Sequence, residues 1–234
     1  MRLQDLTALV VHLRPYRESS ALVQFLTREH GRIAGVMKGL HRGRRTQNVQ
    51  PFQLGRLSCT GKTGLLTVTG FEIVERIDLT GDALSAGFYV LELISRGLAE
   101  RQVEPGVYDA AVTALRGLSA QEDFAPCLRQ FELSLLTQLG YGLDYRHDSD
   151  SGTAIAADGL YDLIEEQGFV RVDDTGAGAS ALVPGWVLLA IAAGDFSQAR
   201  VRHAAKRLNQ RALAPLIGSA PLISRSMYTG RSRG

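Results

Sequence analysis

The sequence predicts an α+β protein in which a five-stranded OB-fold barrel over residues 1–80 precedes a mainly α-helical domain over residues 81–234. Two observations predict this division. Up to about residue 80, short alternating apolar segments are separated by turn signals every ~10 residues, which is typical of a small barrel. After that point the apolar residues recur at helical spacing. A five-stranded Greek-key barrel of this size is the OB-fold, a common binder of oligonucleotides, but periodicity alone does not separate it from an SH3-like barrel.

Five segments form the predicted barrel. In LTALVVHL, Leu9, Val11 and Leu13 fall on one face, and Val10 and His12 fall on the other. ALVQFLTRE and RIAGVMKG follow, and they are joined by a turn at residues 30–31. The last two strands flank the glycine-containing stretch TGKTG, whose glycines allow the positive φ angles of a hairpin turn.

The same stretch, SCTGKTGLL, raises the alternative of a P-loop ATPase. A P-loop needs a glycine, four free residues and then Gly-Lys-Ser/Thr, placed between a strand and a helix. Position 56 holds Arg56, Gly55 is one residue too far away, and a strand-like segment follows Thr63. The pattern therefore favours a hairpin. Because the sequence shows no catalytic arrangement either, we expect a protein that is not an enzyme and needs no cofactor.

The second half contains five predicted helices and one small hairpin near residues 159–173, turning at Gln167-Gly168. In the first helix, Leu84, Phe88, Leu91 and Ile94 form the predicted apolar stripe. The helices are predicted in GDALSAGFYVLELISRGLAE, EPGVYDAAVTALRGL, EDFAPCLRQFELSLLTQLGYG, GASALVPGWVLLAIAAGD and SQARVRHAAKRLNQRALAPLIG.

The net charge of +2 conceals a strong asymmetry along the chain. Residues 1–80 carry twelve Lys and Arg against six Asp and Glu, residues 81–199 carry six against eighteen, and residues 200–234 carry eight against none. Two basic ends around an acidic middle indicate a polyanionic partner. With two cysteines, no signal-peptide pattern and no apolar run of the ~20 residues that span a bilayer, we expect a cytoplasmic protein without a membrane segment.

The loop in MKGLHRGRRTQNVQPF is the first candidate site. Its cations can neutralise phosphates without reading sequence, although a solvated loop is the alternative. Tyr16 and Phe52 are the nearest aromatic residues for base stacking, and Phe52 is more easily explained as core. The candidate DNA-binding residues are Lys38, Arg42, Arg44 and Arg45 in the loop, with Arg14, Arg17, Arg28 and Arg32 on the early strands and turns.

The last predicted helix is the second candidate. Arg200, Lys206 and Arg207 lie mostly on one side, with His203 between them and Arg211 a turn later. Such a basic amphipathic helix suits nucleic acid, an acidic partner or the acidic middle of its own chain, and the pattern leaves these three open.

The remaining polar candidates are weaker. Arg129 adjoins the apolar face of Leu128, Phe131 and Leu135, where an arginine can receive a carboxylate at the rim of a groove. From the residues alone, a salt bridge within or between helices is the favoured explanation of Arg129. His147, Asp148 and Asp150 form only a weak metal-binding pattern in a polar loop.

Five stretches, in order, resemble the bacterial recombination mediator family RecO along nearly the whole chain. They are LVVHLRPYRESSALVQFLTREHGRIAGVMKG, QPFQLGRL, GFYVLELISRGL, LRQFELSLLTQLGYG and RHAAKRLNQRALAPLIGSAPLISR. Some members carry a four-cysteine zinc motif after the LGYG helix, but here that region has no cysteine, so we expect no tetrathiolate zinc site.

The resemblance implies an N-terminal OB-fold and a helical C-terminal domain. It also implies binding of single- and double-stranded DNA, annealing of complementary strands, and action with RecR to load RecA in DNA repair and recombination. Lys38 and Arg42 match the family's DNA-contacting KG-x-x-R loop. Arg129 matches the arginine associated with the C-terminal tail of single-stranded-DNA-binding protein. A structural adaptor that does not touch DNA remains the other alternative.

Overall fold

The computed structural model describes residues 2–38, 49–62, 64–121, 123–172 and 182–224. Its N-terminal part is a closed barrel of five strands in the order β1-β2-β3-β5-β4. The strands are β1 (Arg2–Tyr16), β2 (Ser20–Thr27), β3 (Gly31–Lys38), β4 (Gln53–Thr60) and β5 (Leu66–Arg76). All neighbours are antiparallel except β3 and β5, which pair in parallel. This five-stranded closure is that of an OB-fold, and the predicted α+β class is confirmed.

Alternation along the strands fills the barrel interior. Ala21, Val23 and Phe25 point inward from β2, and the residues between them point outward, as the two-residue period of a strand requires. The interior also holds Leu6, Ala8, Val10, Ile33, Met37, Leu57, Cys59, Leu66, Val68 and Phe71.

The predicted faces of β1 are wrong at its centre. Val10 lies inside the barrel, and Leu13 packs against the same core, although the alternation placed them on opposite faces. A register shift between Val10 and His12 is the physical reason, because one extra residue in a strand turns the following side chains to the other face.

Two helices follow the barrel, α1 (Gly81–Gly97) and α2 (Pro105–Ala120). The predicted stripe of α1 is only partly right: Leu91 and Ile94 are buried, but Leu84 is exposed. Phe52 is buried, as predicted, and its ring meets Phe88 edge-on at 5.0 Å between centroids. At the β2–β3 turn, Gly31 has a φ of 63°, and a Cβ there would lie 1.8 Å from a backbone oxygen.

The remaining elements are α3 (Ala125–Gln138), β6 (Leu160–Ile164), β7 (Gly168–Arg171), β8 (Val183–Pro184), α4 (Gly185–Ala192) and α5 (Ala199–Ile217). Strands β6 and β7 form a hairpin, and β8 pairs with the other edge of β6. One apolar core joins them to α4 and α5, with members that include Tyr161, Phe169, Leu188, Val201 and Leu208.

Two compact units make up the chain. The first contains Met1–Phe124 and Leu216–Gly234, and the second contains Ala125–Pro215. In this division α1 and α2 pack with the barrel, and the predicted domain boundary at residue 80 stays a prediction. Among the described helices, none combines the length and apolarity needed to cross a membrane.

Candidate functional site

Strand pairing brings part of the predicted basic group together on the barrel. Tyr16 is paired with Ser20 across β1 and β2, and Ser20 is paired with Lys38 across β2 and β3. Paired residues point to the same side of a sheet, and neighbouring strands lie about 4.8 Å apart. Tyr16 and Lys38 are therefore on the same outer face, about 10 Å apart along the row.

Two arginines extend this row. Arg14 is exposed in β1, two residues before Tyr16 on the same face, and it is paired with Leu22. Arg17 lies in the turn that follows, with a φ of 55° and its guanidinium carbon 5.2 Å from the centroid of the Tyr16 ring. We call Arg14, Tyr16, Arg17 and Lys38 the barrel cation face. Glu18 is the one acidic residue in its turn.

The loop that continues from Lys38 carries the rest of the predicted DNA-binding cations. Arg42, Arg44 and Arg45 lie outside the described residues, so their predicted role stays a prediction. Lys38 is the last residue of β3, and these three arginines follow it within seven positions of the sequence.

Arg32 and Arg28 are not part of that face. Arg32 lies six residues before Lys38 on β3, a separation of about 20 Å along the strand. Its carbonyl accepts a hydrogen bond from the Arg101 N–H at 2.8 Å, at the opposite end of the β2–β3 ladder. Arg28 forms two hydrogen bonds with the Asp109 carboxylate, at 3.0 and 3.1 Å. The predicted extension of the patch through these two arginines is therefore wrong in position.

The cations of α5 belong to the second unit. Arg200, His203 and Arg207 line a groove of about 310 Å³ beside β8 and the start of α4. Lys206 and Arg211 are exposed on α5 but do not line this groove. Lys206 is the residue before Arg207 and therefore lies about 100° from it around the helix, so the structure does not bring Lys206 to the groove with Arg200 and Arg207.

Arg129 has a different environment from the one expected at the rim of a groove. Its side chain is buried, and Nη2 donates a hydrogen bond to Glu132 Oε1 at 2.7 Å. The other oxygen of Glu132 accepts from Asn209 at 2.9 Å, and Asn209 Oδ1 accepts from the Tyr145 hydroxyl at 3.2 Å. Burial, together with the Glu132 charge, raises the pKa of Tyr145 well above its ordinary value.

The slot predicted beside Arg129 is also corrected. Phe131 and Leu135 are buried in the structure, and Leu128 is half-buried, so their side chains fill packed space rather than line an open slot. The salt bridge at i, i+3 is the arrangement that the residues alone favoured. Within the described residues, Nε and Nη1 of Arg129 have no hydrogen-bond partner.

A different face of α3 is open to a groove. A groove of about 440 Å³ lies between α3, residues 142–146 and the end of α4. Leu133, Leu143 and Ile191 supply apolar surface, and Gln130 and Arg146 supply hydrogen-bond donors. Asp144 also lines it, and this carboxylate accepts from the backbone N–H of Arg146 at 2.8 Å and contacts the His147 ring.

Two weaker predictions have a structural explanation. Asp148 accepts hydrogen bonds from the backbone N–H groups of Ser151, Arg171 and Asp150, which hold the pKa of its carboxyl below the ordinary range. It therefore organises a loop.

Lys62 lies in the turn between the antiparallel strands β4 and β5, so the predicted hairpin is confirmed and no helix follows it.

Sequence reasoning missed two features. Asn209 was not recognised as a partner of Glu132, because the two are 77 residues apart in the chain. The groove beside α5 was missed because β8 is only two residues long and gives no periodic signal. The spacing of Arg200, Ala204 and Arg207 on one helical face was the available clue.

Two family models match the chain. The model described as Recombination protein O N terminal matches residues 1–77, and the one described as Recombination protein O C terminal matches residues 79–222. Together they cover both the barrel and the elements that follow it.

Curated relatives give the same result over nearly the full length. A protein of Cellvibrio japonicus is 38% identical over 232 residues, covering 98% of each chain. A protein of Haemophilus influenzae strain 86-028NP is 39% identical over 225 residues, covering 94% of this chain and 93% of its own. One from Alteromonas mediterranea is 36% identical over 231 residues, with 97% and 98% covered. Each of the three is named DNA repair protein RecO.

Proposed function

Because the chain belongs to the RecO family, we propose that it is a DNA-repair protein that binds single- and double-stranded DNA through the barrel cation face and the loop after Lys38. In this proposal it acts in the cytoplasm at the nucleoid, anneals complementary strands, and helps RecR to load RecA onto strands coated by single-stranded-DNA-binding protein.

The barrel cation face carries the proposal. Three cations and one aromatic ring share one outer surface of an OB-fold, where a strand can lie with its phosphates on the cations and a base on Tyr16. The Arg17–Tyr16 stack holds the guanidinium at the tip of the β1–β2 turn. Its φ of 55° is uncommon for a residue other than glycine, and such positions cluster at functional sites.

The charge distribution also favours DNA binding over the alternative of an adaptor that does not touch DNA. Residues 1–80 have an excess of six positive charges, and Arg42, Arg44 and Arg45 follow Lys38 within seven positions of the sequence. An adaptor has no need to concentrate cations beside an aromatic ring on one side of a barrel.

Fluorescence anisotropy with labelled oligonucleotides of unrelated sequence, measured over a range of salt concentrations, tests the proposal. We expect Arg14→Ala/Arg17→Ala/Lys38→Ala to weaken binding about equally for each sequence. For three lost phosphate contacts, the slope of log affinity against log salt should fall by about 2 for single strands and about 3 for duplex.

The matched control is Arg14→Lys/Arg17→Lys/Lys38→Arg, which keeps all three charges and should keep most of the slope. A folded alanine variant whose affinity and slope equal those of the natural protein would refute the barrel site. DNA binding by neither the natural protein nor the control would favour the adaptor.

For the tail of single-stranded-DNA-binding protein, we propose the groove beside α3 as the binding surface. Such tails end in an acidic and apolar sequence with a free carboxylate, and the groove is lined by Leu133, Leu143 and Ile191 together with Arg146. Arg129, which the resemblance associates with the tail, lies on the same helix and pairs with Glu132. In this proposal it fixes the position of α3 from the buried side.

A further inference from the structure

The second unit contains a groove between β8 and α5 whose lining residues have no role in the proposed barrel site. Leu182, Val183, Pro184 and Val187 form its apolar side, and Arg200, His203, Ala204 and Arg207 form its α5 side. Its volume is about 310 Å³.

Packing of α5 directs these cations into the groove. Val201, Ala205 and Leu208 are buried in the core of the second unit. Arg200, Ala204 and Arg207 follow the spacing of one face of a helix, and that face lies to the side of the buried one. The cations are therefore held at the groove by the apolar contacts of the same helix, rather than by long flexible connections.

The charge of the groove favours an anion. None of the described residues that line it is Asp or Glu, whereas two arginines and a histidine do line it. The rest of α5 adds to this field, because the helix contains five Lys and Arg and no acidic residue. A polyanion gains most from such a surface, because each neutralised phosphate releases condensed counterions.

An aromatic ring beside the groove selects among the anions. Trp186, the single tryptophan of the chain, lies two residues after β8 and precedes Val187 of the groove lining, and it is half-buried. The guanidinium carbon of Arg200 lies 5.6 Å from the centroid of its indole ring. A guanidinium stacked with an aromatic ring gives a flat surface on which an unpaired base can stack. A peptide of acidic residues alone makes no use of that surface, and the paired bases of a duplex do not reach it.

From this arrangement we propose that the groove between β8 and α5 is a second binding site, specific for single-stranded nucleic acid. Arg200, His203 and Arg207 contact its phosphates, and a base stacks on the Trp186–Arg200 pair. The inference rests on the proposed function, and it adds to it a site on the second unit that acts on unpaired bases.

The single tryptophan makes the contact directly measurable. The emission of Trp186 should change as a thymidine oligonucleotide is added to the full-length protein, and the change should saturate together with the anisotropy of the same labelled oligonucleotide. An oligomer of abasic deoxyribose phosphates carries the same charges without bases. It should bind, but it should leave the emission nearly unchanged.

Variants separate stacking from charge. Trp186→Ala should weaken binding of the single strand about five- to a hundredfold, as removal of a stacking residue does, and Trp186→Phe should keep most of the affinity. Arg200→Ala should reduce both the emission change and the affinity, whereas Arg200→Lys should restore mainly the salt-dependent part. Circular dichroism of each variant checks that it is folded.

The outcomes distinguish this inference from the proposed function. An anisotropy increase without any change in Trp186 emission, and with natural affinity in folded Trp186→Ala, would overturn the groove and leave the barrel proposal intact. An equal emission change on adding a glutamate-rich peptide, with none on adding the oligonucleotide, would assign the groove to an acidic protein instead. No binding of any oligonucleotide would remove both proposals.

Discussion

Arg129 and Glu132 form an ion pair within α3 in which both side chains are buried, with 2.7 Å between Nη2 and Oε1. Taking two charges out of water costs several kcal/mol per ion, and the mutual attraction offsets this only while both partners are present. Glu132 has further support from Asn209, and through it from Tyr145. The pair therefore ties α3 to α5 and to the segment before β6.

Removal of one partner is expected to destabilise the second unit strongly. Glu132→Ala leaves the Arg129 charge buried without its carboxylate, so the free energy of unfolding should fall by about 3–5 kcal/mol. Urea denaturation followed by circular dichroism measures this. The double variant Arg129→Met/Glu132→Leu replaces the pair with apolar side chains and should recover most of the loss. A decrease below about 1 kcal/mol for Glu132→Ala would contradict the argument.

Arg129→Ala leaves Glu132 buried without its cation, so α3 loses its anchor on the buried side. Binding of a labelled tail peptide is therefore expected to weaken about ten- to a hundredfold, with binding to bare DNA nearly intact. Anisotropy with the peptide and, separately, with an oligonucleotide measures both. The double variant Arg129→Met/Glu132→Leu identifies the cause: recovered peptide binding shows that Arg129 acts by positioning α3. Persistent loss shows that the guanidinium itself meets the tail. Equal loss of peptide and DNA affinity would contradict both.

The local sequence pattern predicts the barrel, but it does not predict the buried polar network around Glu132 and Asn209. The period of two in β2 and the glycines between β4 and β5 are properties of neighbouring residues, so the sequence predicts them directly. The register shift after Val10 depends on how β1 reaches both β2 and β4, and alternation cannot show it. Glu132 and Asn209 meet only through the packing of α3 with α5.

The same distinction applies to the candidate sites. Tyr16, Arg17 and Lys38 come together by hairpin and strand pairing, which the sequence implies once the strands are identified. Arg32 shares the strand of Lys38, and only its register shows that it lies at the other end. Trp186 and Arg200 are brought together by the turn from α4 to α5, and no motif in the chain predicts that contact.

The segment after α5 is fastened to α1 by a charge-assisted cluster. Glu92 accepts from the backbone N–H groups of Ile223 and Ser224 at 2.9 Å and from the Ser224 hydroxyl at 2.7 Å, and it pairs with Arg96. Partial burial raises the pKa of Glu92, but these hydrogen bonds and the Arg96 charge outweigh it and hold the pKa below its ordinary value of 4.5.

Glu92→Gln should therefore lower stability in a pH-dependent way. A carboxylate whose pKa is lowered by folding stabilises the protein above its unfolded pKa, and this is lost as the pH falls from about 4.5 through the folded pKa. The melting temperature of Glu92→Gln should be lower than that of the natural protein at pH 7, by the equivalent of about 1.5–3 kcal/mol. The gap should close under acid conditions. The control is Glu165→Gln, an exposed change in the β6–β7 turn. Its melting temperature should equal that of the natural protein both at pH 7 and under acid conditions.

Strand annealing, as proposed, needs neither ATP nor a metal ion. It would arise because cations on the protein reduce the repulsion between two polyanionic strands, a screening effect that requires no bond to be broken. We expect two complementary oligonucleotides, one carrying a fluorophore and one a quencher, to anneal faster when the protein is present. The accelerated rate should be the same with EDTA, with ATP or with neither. Raising the salt concentration should remove the acceleration.

Lys62→Ala gives the sharpest comparison with the ATPase alternative. A P-loop lysine contacts the β- and γ-phosphates, so an ATP-driven mechanism would lose its activity in this variant. Lys62 here is an exposed residue in a turn that leads into β5, so annealing should decrease by no more than a single exposed charge explains, about twofold. The alanine variant of Arg14, Arg17 and Lys38 should lose most of the acceleration in the same assay. Annealing that stops with EDTA, depends on ATP or disappears in Lys62→Ala would show that the electrostatic mechanism is wrong.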